Sequence, residues 1–174
     1  MSEKVRVLLS EEEVDQKISE LGAKISRDYE GKSVHMICIL KGGAWFMCEL
    51  SKRMTVPVSC DFMSVSSYGS GTESSGVIKI NKDLDEPLDG KDVLIVEDIV
   101  DSGRTLSHLC DLLRHRNPAS IRICTLLDKP SRRVKAVNVD YTAFQIPDEF
   151  VVGYGLDYDQ KYRTLPYIGV VEFD

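Results

Sequence analysis

Apolar and polar positions repeat with two different periods along the first part of the chain. After a capping-box pattern formed by Ser10 and Glu13, apolar residues recur every three or four positions as far as Gly31, which predicts an amphipathic helix. The apolar run at 34–40 then predicts a short buried strand, and residues 44–54 predict a second helix that ends before a proline. The patterns therefore predict a helix, a strand and another helix in the first part of the chain.

Strand and helix patterns continue to alternate over the rest of the chain. A stripe of leucines after Gly103 predicts a helix that ends at Asn117 and Pro118. Strands that alternate with helices are typical of an α/β fold built around a mainly parallel sheet with helices on its faces. Further strands are predicted at 58–62, 77–80, 93–96, 121–127, 141–146, 151–154 and 168–173.

One segment, 66–76, interrupts this alternation. It consists mostly of serine and glycine with Tyr68 as its single aromatic residue, which predicts a mobile loop. No other segment has the composition of a linker, and no sequence repeat is present. We therefore expect a single domain that spans residues 1–174.

Composition and charge narrow the possible function classes. The formal charge of −6 gives no overall basic surface for nucleic acid, so an anionic substrate would need local cationic groups. No apolar stretch approaches the roughly 20 residues that span a bilayer, and the five cysteines form no C-x-x-C pair. We therefore expect a cytoplasmic protein with buried free thiols that binds neither nucleic acid nor a membrane.

The strongest chemical signal lies in the segment 93–105. An apolar strand pattern runs directly into Glu97 and Asp98, and a small-residue turn and a helix follow. Carboxylates at the carboxyl end of a strand lie where open α/β sheets bind ligands, and backbone N–H groups at a helix N-terminus can hold a phosphate. A capped strand–helix turn, with Asp101 merely the cap, explains the pattern equally well. The candidate phosphate ligands are Ser102, Gly103, Arg104 and Thr105.

The same segment resembles the ribose-phosphate-binding signature of the type I phosphoribosyltransferases. That signature is an apolar run, two acids, two apolar residues and then Asp-Ser/Thr-Gly-x-Thr, with Ser102 here in place of a common threonine. The resemblance implies the fold of that family, in which a small hood formed by the N- and C-terminal segments covers a mainly parallel sheet flanked by helices. With an acid at Asp101, the segment resembles the branch of the family that acts on 6-oxopurines.

Other segments resemble the hypoxanthine-guanine phosphoribosyltransferases of this branch. An acid, Asp128, directly precedes the lysine at position 129, where some members carry an apolar residue. The matching segments are Leu40-Lys41-Gly42-Gly43, Ser67-Tyr68, Lys129, 150–157 and Arg163.

The resemblance implies transfer of a 5-phosphoribosyl group from phosphoribosyl pyrophosphate to purine N9 through an oxocarbenium-like transition state. Mg²⁺ would neutralise the departing pyrophosphate and orient the ribose. Asp157 is the expected direct metal ligand, while Glu97 and Asp98 face the ribose hydroxyls and reach the metal through water. Asp101 is the expected catalytic residue, because it exchanges a proton with purine N7. Residues 101–105 bind the ribose 5-phosphate.

The remaining implied contacts concern the purine, the pyrophosphate and the lid. Lys129 would donate to the 6-oxo group, Phe150 would stack on the base, and the main-chain carbonyls of Val151 and Asp157 would lie near purine C2. The residues expected to bind pyrophosphate are Lys41, Gly42 and Arg163. The residues expected to form the lid are Ser67 and Tyr68.

Two other functions remain open at this level. A phosphoribosyltransferase that prefers xanthine would carry the same acid at Asp101. A regulator that binds phosphoribosyl pyrophosphate without catalysis is a second alternative, although such regulators carry an added nucleic-acid-binding domain or a basic face. For the enzyme, a homodimer or homotetramer is expected.

Overall fold

The computed structural model describes residues 2–67 and 77–174. Its elements form a six-stranded central sheet with the order β4-β3-β2-β5-β6-β7 and a separate three-stranded sheet with the order β1-β9-β8. In chain order the elements are β1 (Glu3–Leu9), α1 (Glu11–Asp28), β2 (Val34–Ile39), α2 (Gly43–Ser51), β3 (Val58–Ser67), β4 (Ile78–Lys82), β5 (Asp92–Val100), α3 (Arg104–Arg114), β6 (Ser120–Asp128), a 3-10 turn (Pro130–Arg132), β7 (Tyr141–Gln145), β8 (Val151–Val152) and β9 (Ile168–Phe173).

The central sheet is parallel except at one edge. Strands β3, β2, β5, β6 and β7 run parallel to their neighbours, and β4 pairs antiparallel with β3. All six residues of β2 are buried, as expected for a strand inside a parallel sheet that helices cover on both faces. The predicted α/β fold is therefore confirmed.

Helix α1 begins as the sequence predicts. The Ser10 side chain accepts a hydrogen bond from the Glu13 N–H, and the Glu13 carboxylate accepts one from the Ser10 N–H. This reciprocal pair satisfies two N–H groups that the helix cannot bond internally. The apolar stripe behind the cap is buried and consists of Val14, Ile18, Leu21 and Ile25.

The two faces of the central sheet carry different helices. Alternate residues of β2 divide between two hydrophobic clusters: Met36 packs with α1 and α2, whereas Ile37 packs with α3. The helix after β2 therefore lies on one face and the helix after β5 on the other, while β2 and β5 are hydrogen-bonded neighbours. This is a topological switch point, where open α/β sheets leave a crevice for ligands at the strands' carboxyl ends.

The three-stranded sheet unites the two ends of the chain. β1 pairs antiparallel with β9, and β9 pairs antiparallel with β8, which confirms the predicted hood. The sequence patterns do not predict β1, whose backbone partner lies at the opposite end of the chain. The second helix also ends at Ser51, three residues before the predicted end.

Three further predictions concern a membrane span, the cysteines and the lid. Among the described residues no helix has the length and apolar character needed to cross a membrane. All five cysteines are free, but Cys48 and Cys60 are exposed, so the prediction of burial is wrong for these two. Most of the predicted lid, from Tyr68 to Gly76, lies outside the described residues, and Ser67 is the exposed last residue of β3.

Candidate active site

The loops that follow β2 and β5 meet at the switch point. Gly42 packs so closely against the Asp98 carboxylate that a Cβ at position 42 would overlap it. Gly43 lies against the backbone carbonyl of Val96. Because β2 and β5 are paired in register, with Cys38 opposite Val96, the predicted pyrophosphate loop and the predicted ribose-binding acids lie side by side.

The acids Glu97 and Asp98 lie within β5 rather than after it. The strand continues to Val100 and pairs with β6 over its whole length, so the prediction that the strand ends at position 96 is wrong. Backbone pairing continues because it does not require apolar side chains. Both acids are partly buried at the carboxyl end of the strand, as their predicted function requires.

Loss of hydration changes the acidity of these two carboxyls. Burial, together with the charge of Asp98, raises the pKa of Glu97 well above its usual range. Burial raises the pKa of Asp98 to about 6, although a hydrogen bond from the Ile99 N–H opposes the shift. Such carboxylates carry charge that the protein compensates poorly, and a cation bound there would stabilise their ionised form.

The loop after β5 leads into α3 through a glycine in the left-handed region. Gly103 has φ of +80° and is the N-cap of α3, where no side chain caps the helix. A Cβ at Gly103 would overlap the carbonyl of Lys135, so both the backbone conformation and the packing favour glycine. The carbonyl of Ser102 accepts hydrogen bonds from the N–H groups of Val134 and Lys135, which supports the turn from behind.

Asp101 is not the cap of this helix. Its carboxylate instead accepts a hydrogen bond from Arg132 Nε at 3.3 Å, and 46% of its side chain is exposed. The capping interpretation of Asp101 is therefore wrong, because Gly103 takes that position. A half-exposed carboxylate next to the helix start has access to a ligand in the crevice.

The pyrophosphate candidates share one neutral partner. Lys41 follows a cis peptide bond after Leu40, and its ammonium lies 3.4 Å from Gln160 Oε1. Arg163 donates to the same oxygen at 3.2 Å and to the carbonyl of Gly155 at 2.7 Å. Two cations are thereby brought together beside the acids of β5, as the predicted pyrophosphate site requires.

Asp157 lies on the same side of the site and is already engaged. One carboxylate oxygen pairs with Arg163 at 3.2 Å, and the other accepts a hydrogen bond from the Gln160 N–H at 2.9 Å. Asp157 is also close enough for its charge to raise the pKa of Asp98. The carboxylates of β5 and of the 150–157 segment therefore belong to one electrostatic unit.

The residues of this unit fit a partly hydrated magnesium ion. No group of three or more His, Cys, Asp or Glu side chains is arranged to hold a metal within ranges 2–67 and 77–174. Mg²⁺ commonly binds through one or two carboxylates and takes its remaining ligands from water and substrate phosphates. The hard oxygen donors of Asp98 and Asp157, with their linked charges, match that requirement.

Lys129 lies at the end of β6, the strand beside β5. Its N–H donates to the carbonyl of Val100 at 3.0 Å, and its side chain is only 9% exposed. Its ammonium lies 3.8 Å from the carboxylate of Asp148. The adjacent acid, Asp128, pairs with Arg133 instead, so it does not compete for Lys129.

The predicted base-stacking residue is exposed at the hood. Phe150 has 53% of its surface accessible, and its ring contacts that of Tyr158 edge-on at 5.7 Å between centroids. Val151 is buried in β8, where it pairs with Val170 of β9. The hood therefore presents an unburied aromatic ring in the segment between Lys129 and Asp157.

Three polar residues of the site were missed by the sequence analysis. Gln160 links the two pyrophosphate candidates, and Arg132 and Asp148 link Asp101 to Lys129. None of them lies in a recognisable motif. A dense set of charges between 128 and 133 was the one available signal.

Comparison with known proteins identifies the family. The model of the phosphoribosyl transferase domain matches residues 7–159. The chain is 52% identical to the hypoxanthine-guanine phosphoribosyltransferase of Bacillus subtilis, over 96% of this chain and 93% of that protein. It is 51% identical to a hypoxanthine phosphoribosyltransferase from Staphylococcus aureus whose crystal structure superposes with a TM-score of 0.94, covering 96% of this chain and 91% of the other.

Another relative is much longer than this chain. The bifunctional protein TilS/HprT of Listeria innocua is 53% identical over 96% of the chain, but the chain spans only about a quarter (26%) of its length. The match to the B. subtilis protein, in contrast, covers nearly the whole of both chains. With the family model, the fold and the site in agreement, the chain belongs to the phosphoribosyl transferase family and, within it, to the hypoxanthine-guanine phosphoribosyltransferases.

Proposed function

We propose that this chain transfers the 5-phosphoribosyl group of phosphoribosyl pyrophosphate to N9 of hypoxanthine or guanine, giving IMP or GMP and pyrophosphate. The observation that carries the proposal is the meeting of three loops at one edge of the sheet: the glycine loop after β2, the acids and turn after β5, and Lys129 after β6. These loops offer binding groups for pyrophosphate, for ribose 5-phosphate and for a purine in that order. The named activity of the B. subtilis relative supports the assignment.

In this proposal the turn after β5 holds the 5-phosphate. Backbone N–H groups at the start of α3, together with the hydroxyls of Ser102 and Thr105, supply donors for an anion. The side chain of Arg104 adds a positive charge at the same helix start. The partly buried Glu97 and Asp98 face the ribose hydroxyls.

The leaving group is held on the opposite side of the ribose. Lys41 and Arg163 neutralise the charge that develops on pyrophosphate as its bond to ribose C1′ breaks, and the Gly42 N–H lies in the same loop. Bound Mg²⁺, held by Asp157 with Glu97 and Asp98 nearby, would supply further charge neutralisation. Electrostatic groups fixed in advance are most effective where charge develops in the transition state.

The purine is recognised at the remaining side of the crevice. Lys129 has only hydrogen-bond donors, so it complements the 6-oxo acceptor of hypoxanthine and guanine and opposes the 6-amino group of adenine. Phe150 stacks on the ring, and the carbonyls of Val151 and Asp157 accept from the 2-amino group of guanine. Asp101 takes the proton from purine N7 as N9 forms its bond to ribose C1′.

A lid, a cellular compartment and an oligomeric state complete the proposed function. The segment 66–76, with Ser67 and Tyr68 at its start, closes over the site to exclude water from the reactive ribosyl cation. The free cysteines suit the reducing cytoplasm. The enzyme acts as a homodimer or homotetramer.

A steady-state assay with four bases tests this function. We expect efficient, Mg²⁺-dependent use of hypoxanthine and guanine with phosphoribosyl pyrophosphate, much weaker use of xanthine, and essentially no use of adenine. Full turnover in excess chelator would contradict the metal-dependent mechanism. Xanthine used within tenfold of guanine would mean that the carbonyls of Val151 and Asp157 do not lie near purine C2, and a higher kcat/KM for xanthine than for guanine would favour the xanthine-preferring alternative. Tight binding of phosphoribosyl pyrophosphate without turnover of any base would favour the regulator.

A further inference from the structure

We propose that Asp148 is a specificity-determining positioning residue that acts through Lys129, and that Arg132 couples this pair to Asp101. The inference rests on the proposed function, because it takes Lys129 as the group that recognises the 6-oxo atom. It adds a residue outside the motifs of the site. It also gives a physical reason for the ammonium of Lys129 to stay in the site.

The four side chains form a chain of alternating charge. Arg132 Nε lies 3.3 Å from the Asp101 carboxylate, and Arg132 also lies 3.4 Å from one oxygen of Asp148. The other oxygen of Asp148 lies 3.8 Å from the Lys129 ammonium. The proton-transferring acid and the base-recognising lysine are therefore joined through two intervening side chains.

The side chain of Lys129 is largely buried, so the carboxylate that balances its charge affects its position. Only 9% of its side chain is exposed, and Asp148 is its one carboxylate partner within 4.0 Å in the described part of the chain. Burying an ammonium without a charged partner costs free energy, because its hydration is lost and no favourable interaction replaces it. Asp128, although adjacent in sequence, is held by Arg133 and does not supply this charge.

Charge on Lys129 is also what distinguishes the bases. An ammonium can only donate, so it matches a 6-oxo oxygen and is repelled by a 6-amino donor. Without Asp148, the side chain relieves its uncompensated charge by turning out toward water, where it no longer contacts the base. Loss of this contact reduces discrimination between hypoxanthine and adenine.

Arg132 explains why the two ends of the network are linked. The 6-oxo oxygen and N7 of a purine lie on the same edge of the base, so the groups that face them must approach from the same side. Arg132 bridges Asp148 and Asp101 on the loop that follows Lys129, and its own N–H donates to the Lys129 carbonyl. This arrangement holds the two functional groups in register before the base arrives.

Asp148→Asn is the direct test, since it keeps the shape of the side chain and removes its charge. We expect KM for hypoxanthine to rise about tenfold with less than a threefold change in kcat, and the hypoxanthine-to-adenine ratio of kcat/KM to fall at least tenfold. Asp148→Glu should restore most of the ratio, because it restores the charge. Asp148→Ala provides a second variant that lacks the charge, should the first fail to fold.

Asp111→Asn is the matched control. Asp111 lies on α3, where it forms an exposed pair with Arg114 at 2.7 Å, and its removal should change neither KM nor the base ratio. Arg132→Gln breaks the link to Asp101 while leaving Asp148 beside Lys129, so it should lower kcat and leave the base ratio within threefold of wild type. A melting temperature measured for each variant checks that the variant is folded.

The outcomes separate this inference from the proposed function. An unchanged base ratio in folded Asp148→Asn or Asp148→Ala, with normal wild-type activity on hypoxanthine, overturns the role of Asp148 alone. A fall in the ratio that Asp148→Glu does not reverse also overturns it, because the effect then does not follow the charge. If the wild type itself does not use 6-oxopurines, the proposed function fails, and the inference fails with it.

Discussion

The carboxylate of Asp101 accepts a hydrogen bond from Arg132 Nε at 3.3 Å, and Gly103 rather than Asp101 is the N-cap of α3. The relationship separates two explanations that the sequence leaves equal. A capping aspartate would turn its carboxylate to the N–H groups of the helix. Asp101 instead holds its carboxylate beside a surface arginine, where it remains available to a ligand.

Replacing Asp101 by Asn should therefore affect turnover far more than stability. The substitution removes the proton acceptor but keeps an oxygen that can accept from Arg132. We expect kcat to fall roughly 10²–10⁴-fold, the usual contribution of a general acid or base. The exposed ion pair that is lost contributes little to the free energy of unfolding, because water screens it. Steady-state kinetics and urea unfolding, with Asp111→Asn as a control, measure the two effects separately. A large loss of stability with intact kcat would contradict the catalytic assignment.

Gly103→Ala should damage both folding and phosphate binding, and Gly90→Ala offers a matched control. Both glycines have positive φ, +80° and +68° respectively, but a Cβ at Gly90 meets nothing within 4 Å. The control should lose about 1–2 kcal/mol of unfolding free energy from backbone strain alone. Gly103→Ala should lose more, because its Cβ overlaps the Lys135 carbonyl.

The same pair of variants distinguishes strain from function. KM for phosphoribosyl pyrophosphate should rise in Gly103→Ala and stay unchanged in Gly90→Ala, since only the first lies in the proposed phosphate turn. Urea unfolding and initial-rate kinetics provide the two measurements. Equal losses of stability in the two variants would show that the turn relaxes around the added methyl group.

Motif and periodicity predict a large part of this molecule because the relevant information is local. The turn at Gly103 and the helix cap at Ser10 each occupy fewer than ten residues. A local pattern is enough to indicate a buried strand, a turn and a helix. The strand order that places the switch point between β2 and β5, in contrast, depends on pairing across the sheet and is not contained in the local pattern.

The features that escaped prediction depend on distant partners. β1 exists because residues 3–9 pair with residues 168–173, at the other end of the chain. β5 extends beyond the apolar run that predicts it, which ends at position 96, because β6 provides a backbone partner as far as Asp128. Asp148 lies beside Lys129 only because the segment before β8 passes near the end of β6. No window of local sequence contains such information.

His35 predicts how stability depends on pH. The residue is 3% exposed on β2, its Nδ1 lies 2.7 Å from the Ser59 hydroxyl, and its Nε2 is buried without a hydrogen-bond partner among the described residues. Burial, with Lys91 nearby, lowers the pKa of this imidazole below its ordinary value of 6.5, although Asp61 and Glu86 oppose the shift. As pH falls through about 6.5 the unfolded chain takes up a proton that the folded protein resists.

The contribution of His35 to stability is therefore complete above its unfolded pKa and decreases as the solution becomes acidic. His35→Gln keeps a polar group for Ser59 but cannot titrate. The difference in unfolding free energy between wild type and this variant should narrow between pH 8 and pH 5. Urea unfolding at several pH values measures the difference. A constant difference across this range would show that His35 titrates equally in both states.

Magnesium should stabilise the protein appreciably only together with a phosphorylated ligand. The described residues contain no preformed group of three metal-ligating side chains, and Asp157 is already paired with Arg163 at 3.2 Å. A cation must displace this interaction and find most of its ligands elsewhere, which pyrophosphate or phosphoribosyl pyrophosphate can provide. Binding to the folded state raises the free energy of unfolding by RT ln(1 + [L]/Kd), and the melting temperature rises with it. We therefore expect a small rise in melting temperature with millimolar Mg²⁺ alone, a small rise with pyrophosphate alone, and a clearly larger rise with both.

Chelation should abolish the additional rise in melting temperature, and Asp157→Asn should reduce it, while Asp111→Asn should leave it unchanged. An equally large shift with Mg²⁺ alone would mean that the protein itself supplies a complete metal site.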